Sequence, residues 1–281
     1  MKVGVGLPNA VPGTSGEQLT GFARAADEAG FSSLGTIDRV VYPNYEPLTA
    51  LAAAAAVTER IELMTTVMLG PLRLNAVQTA KQALSINQLS GGRLTLGIGI
   101  GGRRDDFEAS GVAYEETGPK LETMLDHVRD TFEGDGVGPQ DAGAPGILIG
   151  GHVEASFRRA AEYGEGWIAG GVSPDQFEGM AQQVRSAWSD AGREGGPRLA
   201  CLVYFSLGEN AAGQARQYLM DYMAVLGEET AAMIASSAAT DARSVAGYLQ
   251  AFEAVGCGEL ILFPCSGDPE QVTLLAEAAG L

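Results

Sequence analysis

The chain is poor in the residues that build metal centres and disulfide frameworks. Its 281 residues hold three cysteines, Cys201, Cys257 and Cys265, and two histidines, His127 and His152. An odd, widely spaced set of thiols makes neither a disulfide framework nor a zinc knuckle, and two histidines exclude a His-rich metal centre. Such thiols suit a reducing compartment, so a cytoplasmic protein is expected. Positive charge is scarce too: Lys plus Arg total 18 against 35 for Asp plus Glu, a net charge of -17. That balance repels polyphosphate backbones and anionic lipid, which argues against nucleic acid or a membrane surface as partner. Long apolar runs are also missing. The stretch from Leu48 to Val57 is too short to span a bilayer, and Met1 to Pro8 reaches a proline too early for a secretory signal.

What is present is a regular beat of apolar strand and amphipathic helix. With 46% hydrophobic and 19% charged residues, the chain can bury one substantial core. Strands are expected at Val3–Pro8, Ser33–Asp38, Ile61–Leu69, Leu94–Ile100, Ile147–Ile149, Trp167–Ala169, Leu199–Leu207 and Glu259–Phe263. Their nearly continuous apolar runs read as strands covered on both faces. Helices are expected at Glu17–Ala29, Leu48–Thr58, Asn75–Leu89, from Pro119 onward, and at about Glu154–Tyr163, Pro174–Ala191, Ala211–Leu226 and Ala242–Ala254. Ser173-Pro174-Asp175-Gln176 is a well-marked helix start, with a capping serine, a first-turn proline and a glutamine at the third helical position. Eight strands with helical crossovers close most naturally into a single (β/α)8 TIM barrel spanning residues 1–281. The alternative is an open doubly wound sheet. The beat is interrupted at about 102–118 by a charged segment, read as a lid.

The most distinctive segment is Arg93 to Arg103, a buried strand whose C-terminal half sheds its side chains at Gly97, Gly99, Gly101 and Gly102. Barrel strands present ligand-contacting atoms at their C-terminal ends, so glycines there are expected to clear a floor for something large and flat. Gly97, Gly99 and Gly102 also satisfy G-x-G-x-x-G. A dinucleotide motif, however, follows a first strand and opens directly into a helix, whereas here Arg103-Arg104-Asp105-Asp106 begins a polar loop.

Leu89-Ser90-Gly91-Gly92-Arg93-Leu94-Thr95-Leu96-Gly97-Ile98-Gly99, with Thr79-Ala80-Lys81-Gln82 upstream, resembles the luciferase-like flavin-dependent oxidoreductases. The likeness extends over the first strand, the Asp38 strand end, Thr65 to Leu69, Arg103 to Gly111 and Ile149-Gly150-Gly151 followed by Gly164-Glu165-Gly166-Trp167. It implies a (β/α)8 barrel with a flavin across the C-terminal mouth, a small organic substrate, a homodimer and, for many members, a separate flavin reductase. Two cofactor types occur in such enzymes: FMN, used reduced with oxygen in monooxygenases, and coenzyme F420, used for hydride transfer without oxygen.

Carried over by position, the resemblance implies cofactor contacts from Leu7, Thr66, Val67, Ile100, Gly101, Gly150, Gly151, His152 and Gly170. The segment Thr65-Thr66-Val67-Met68 matches a third-strand bulge that often holds a cis peptide behind the ring; the alternative is a regular strand. Gly150-Gly151-His152 ends a strand and opens a helix, so its free N–H groups suit the cofactor phosphate, although a plain turn would use glycines as well. Asp38 and Arg39 take the place of an Asp-His or His-His pair active in catalysis. Arg39 cannot accept a proton near neutral pH but can hold an anion; alternatively the two form a surface ion pair. Arg103 and Arg104 are expected to face substrate or serve in the lid, with Arg73 a further cation at the mouth. His127 is expected on the surface, and Cys265 either in the pocket wall or as an inert buried thiol. Gly102 stands where some F420 dehydrogenases carry an acid, and Arg39 where they carry histidine. Both changes favour FMN and monooxygenase or reductase chemistry over F420, with a non-catalytic flavin-binding paralogue as a third reading.

Overall fold

A computed structural model describes residues 1–281. The elements run β1 (Lys2–Gly6), α1 (Gly16–Ala29), β2 (Ser33–Thr36), α2 (Pro47–Ala55), β3 (Glu62–Leu69), α3 (Ala76–Leu89), β4 (Leu94–Gly99), α4 (Arg104–Ala109), α5 (Thr117–Glu133), β5 (Gly146–Gly150) and α6 (Glu154–Tyr163). They continue through β6 (Gly166–Gly170), α7 (Pro174–Asp190), β7 (Arg198–Phe205), α8 (Ala211–Tyr222), α9 (Glu228–Ser236), α10 (Ala242–Ala254), β8 (Glu259–Pro264) and α11 (Glu270–Ala279). The strands are parallel and pair in sequence order. β1 closes the ring on β8 with Lys2 opposite Glu259 and Val5 opposite Leu262. The expected (β/α)8 barrel is therefore the fold.

Side-chain alternation along each strand separates two cores. Leu96 and Ile98, Ile147 and Ile149, and Cys201 and Val203 point outward into the layer shared with the helices. Met64, Leu148, Ile168, Leu202, Ile261 and Phe263 fill the barrel. Where the inward position is glycine, a large neighbour takes the space: a Cβ on Gly6 would meet the Phe263 ring at 2.2 Å. At the N-terminal end, Arg198 donates to Glu62 at 2.6 and 2.9 Å and to Glu259 at 2.6 Å, while Ser32 donates to Glu259 at 2.7 Å. Burial raises the Glu259 carboxyl pKa, but Ser32 and Arg198 outweigh burial and hold it below the usual range. This plug closes the barrel at its base.

Helix boundaries differ from the sequence expectation where tertiary contacts decide them. α5 begins at Thr117, before Pro119, because the first helical positions need no intrahelical N–H partner. The 102–118 segment is not an irregular lid. It folds into α4 and a 3-10 turn at Tyr114–Glu116, anchored by buried Phe107 and Asp106. Between β7 and β8 the chain forms α8, a 3-10 turn at Ala224–Leu226 and α9 before reaching α10. α9 is absent from the sequence reading, as is the final helix, α11. No helix is long and apolar enough to cross a membrane.

Candidate active site

The C-terminal ends of the strands open on a cavity with two lobes, of about 400 and 570 Å³. Thr66, Val67, Gly101, Gly102, His152 and Gly170 line both. Larger grooves on the helical shell, of about 590 and 790 Å³, are lined mainly by helix and connecting-turn residues such as Lys120 and Thr123 or Arg158 and Glu162, and not by strand ends.

The floor is built differently from the sequence expectation. The glycines of β4 do not leave bare backbone. The register between β3 and β4 shifts between Thr65 and Met68, the Thr66–Val67 peptide is cis, and the Val67 side chain lies over the glycines. A Cβ on Gly99 would meet Val67 Cγ2 at 2.8 Å, one on Gly150 would meet Val67 Cγ1 at 2.7 Å, and one on Gly97 would meet the Thr65 carbonyl oxygen at 2.0 Å. Glycines on two neighbouring strands therefore receive the bulge of a third, and half-buried Val67 forms the raised floor of the mouth. Gly102 is open, with nothing within 4 Å of the position a Cβ would occupy.

The 570 Å³ lobe runs from this floor to the start of α6, and Ile100, Gly150 and Gly151 line it. Gly151 turns the chain at φ 140° and its carbonyl accepts from Trp167 Nε1 at 2.7 Å, which fixes the turn. Ser156 and Arg159, two residues the sequence reading passed over, line the same lobe. Arg159 is 8% exposed and donates from Nε to Glu122 at 3.0 Å. The signal available was their placement on the first turns of a helix whose N-terminus already pointed at the mouth. His152, facing both lobes, has its pKa lowered by burial, with a hydrogen bond to the Gly170 backbone acting in the opposite sense. It is neutral near pH 7.

The 400 Å³ lobe lies against β2, α4 and the β7–β8 excursion, with Asp38, Arg39, Arg103, Tyr204, Tyr222 and Met223 on its walls. Asp38 Oδ2 accepts the Leu69 amide at 2.9 Å and Arg73 at 2.7 Å. Burial raises the Asp38 pKa, and Arg73 and the amide recover only part of the shift. Arg39 is committed. Its Nε reaches Asp106 at 2.7 Å and one terminal nitrogen reaches Asp105 at 2.8 Å, while Tyr42 and Tyr222 face its guanidinium at 5.5 and 5.7 Å. Asp38 and Arg39 therefore do not form the surface ion pair offered as an alternative: both are buried, Asp38 pairs with Arg73 and Arg39 with Asp105 and Asp106, and those two carboxylates already balance the charge that was expected to hold an anion.

Two of the carried-over positions fall elsewhere. Leu7 is 1% exposed within the outer core and lines neither lobe, because β1 ends at Gly6 and the next residues turn into a short 3-10 helix. Arg104 points away, 65% exposed at its side chain and paired with Glu115 at 3.4 Å. Cys265 is buried outside both lobes and burial pushes its thiol pKa up, as expected of an inert thiol. His127 is exposed on α5, away from the mouth.

A family model described as luciferase-like monooxygenase matches residues 1–278. The chain belongs to that family. An uncharacterised protein of Mycobacterium tuberculosis is 31% identical over 207 residues, covering 61% of this chain and 71% of the relative. Among solved structures, an F420-dependent secondary alcohol dehydrogenase superposes with a TM-score of 0.83 at 15% identity, covering 99% of this chain and 97% of the other. The oxygenating constituent of 3,6-diketocamphane monooxygenase from Pseudomonas putida, in complex with FMN, superposes with a TM-score of 0.72 at 18% identity, covering 98% and 96%. At these identities the structural likenesses show the fold.

Proposed function

We propose that the chain is an oxidoreductase that holds FMN noncovalently across the barrel mouth and acts on a small organic substrate in the adjoining lobe. The observation that carries this reading is the raised Val67 floor between two lobes, one of which ends at the N-terminus of α6. The residues fit a flat ring with a single phosphate tail. The free amides at the start of α6 would hold the phosphate, with Ser156, whose hydroxyl is tied to Val153, and Arg159, which pairs with Glu122 at 2.9 Å, lining the lobe beside them. Val67 and Gly101 would face the ring. When bound, the flavin supplies the redox chemistry. The protein's part is to seal the base of the barrel, keep His152 neutral as a hydrogen-bonding group, and hold the Asp38 carboxyl at the substrate lobe with Arg73 behind it.

Coenzyme F420 is the second reading, since its deazaflavin ring has the same tricyclic outline and solved neighbours of this fold use it as well as FMN. Glu154 in the first turn of α6 and Glu122, which already pairs with Arg159 at 2.9 Å, leave little spare positive charge at that turn, which favours a monophosphate over a longer polyanionic tail. A separate reductase delivering reduced FMN and assembly as a homodimer complete the reading. Exposed Leu74 and Val77 at the start of α3 give apolar area for a second copy.

Titration of the purified chain with FMN, reduced FMN and F420, followed by absorbance and fluorescence, tests the assignment. FMN in one redox state is expected to bind most tightly, with oxygen consumed once reduced FMN and substrate are present. Preferential F420 binding with oxygen-independent bleaching moves the assignment to the second reading, and no binding of any of the three overturns both.

A further inference from the structure

The β7–β8 excursion roofs the 400 Å³ lobe and turns it into a slot with apolar walls and one oxygen-seeking end. Leu202, Met223, Leu226 and Ile234 form the walls. Of the arginines around this lobe, Arg39 is balanced by Asp105 and Asp106, and Arg73 by Asp38 and Glu46. Arg103 has no carboxylate partner. It donates to the Tyr222 carbonyl at 2.7 Å and to Met223 Sδ at 3.2 Å, and its guanidinium carbon lies 4.3 Å from the Tyr222 ring centroid. These contacts orient the guanidinium without cancelling its charge. The carboxylates that line the slot present no free charge in return, because Arg73 holds Asp38, and Arg39 with two backbone amides holds Asp106.

Tyr204 supplies the second group. It projects inward from β7, with Phe263 and Tyr218 packed against its ring at 6.3 and 6.5 Å. The residue is 7% exposed, lines the slot, and its hydroxyl has no hydrogen-bond partner in the protein. That hydroxyl is not among the polar atoms sealed from outside, so it opens on the cavity. Burial pushes the phenol pKa well up, with the Arg103 charge acting in the opposite sense, so the hydroxyl remains a donor at physiological pH. A desolvated donor and an unbalanced cation lining the same apolar slot are costly to leave without a partner.

We propose that this slot selects a hydrophobic carboxylate, its oxygens on the Arg103 guanidinium and the Tyr204 hydroxyl and its hydrocarbon body against Leu202, Leu226 and Ile234. The proposal deepens the functional reading above by naming its substrate class, and it rests on the mouth being the reaction site. The probe pair is 2-naphthoate and its neutral isostere 2-naphthamide, titrated calorimetrically into the full chain with and without coenzyme. The wild type is expected to bind the acid about tenfold or more tightly than the amide, as a charge-assisted contact implies. Arg103→Met should bind the two alike, and Arg103→Lys should keep most of the preference. Because the readout is the ratio of acid to amide, a loosened roof that weakens both ligands does not imitate the effect. No binding of the acid by the wild type, equal binding of both probes, or a preference that survives Arg103→Met overturns the proposal. Coenzyme affinity is read in the same samples. Loss of coenzyme binding alongside an intact acid preference counts against the functional reading alone.

Discussion

Asp106→Asn is expected to destabilise the chain by about 3–5 kcal/mol, the usual cost of breaking a buried ion pair by removing one partner. Asp106 is 0% exposed, and its two oxygens hold three donors. Oδ2 takes Arg39 Nε at 2.7 Å, while Oδ1 takes the amides of Val40 at 2.9 Å and Val41 at 2.7 Å. One carboxylate thus fastens the loop after β2 to α4, and the charge it balances lies under Tyr42 and Tyr222. Asparagine keeps an acceptor for the amides but turns an N–H₂ group toward Arg39, which leaves that cation short of a counter-charge in a desolvated place. Denaturant unfolding followed by circular dichroism reads the loss. Since the same loop carries Asp38, binding at the substrate lobe should weaken before the barrel itself unfolds. A loss below about 1 kcal/mol would place Asp106 among ordinary surface ion pairs and remove this account of the mouth.

Gly150→Ala is expected to cost about 1–3 kcal/mol by overpacking and to lower coenzyme affinity about tenfold or more. The new methyl would stand 2.7 Å from Val67 Cγ1. Val67 belongs to the β3 bulge and already packs against Gly97 and Gly99 of β4, so it yields toward the mouth, where the ring is proposed to lie. Val67→Ala alone removes part of the floor and should weaken binding modestly. Combining the two should recover most of the loss, because alanine at position 67 leaves room for the methyl at position 150. A double-mutant cycle measures this directly: a coupling of about 0.5–3 kcal/mol is expected between residues in contact. Additive effects would mean that Gly150 and Val67 act separately and that the floor is not a shared construction.

Much of the fold was legible because its signals are local and repeat. Continuous apolar runs such as Leu94–Ile100 mark strands covered on both faces, and Ser173 with Pro174 and Gln176 fixes a helix start within one residue. The cleared strand end at Gly97 to Gly102 pointed to the mouth, and Gly150, Gly151 and His152 do line it. What the glycines accommodate was not legible. The contact between Val67 and Gly150 joins residues far apart in the chain, and no pattern along it shows which side chain a glycine admits. Arg39 was hidden for the same reason, since its partners Asp105 and Asp106 arrive from another strand-to-helix connection. α9 escaped because Ala231, Ala232 and Ala235 give a short helix little amphipathic contrast, and its buried face is set by the roof it completes. Tyr204 and Tyr222 read as ordinary apolar positions until the fold sets both on one cavity wall and the excursion brings Tyr222 against Arg103.

Hydrogen–deuterium exchange of the full chain, with and without whichever coenzyme binds, tests most directly that the strand ends carry the reaction centre. Protection is expected at the amides of Gly101–Gly102 and of Gly151–Ala155, with no change at the basal plug around Arg198 or along the outer groove near Lys120 and Thr123. Protection confined to that groove, or coenzyme binding that leaves the Gly151–Ala155 turn exchanging as before, would contradict the account.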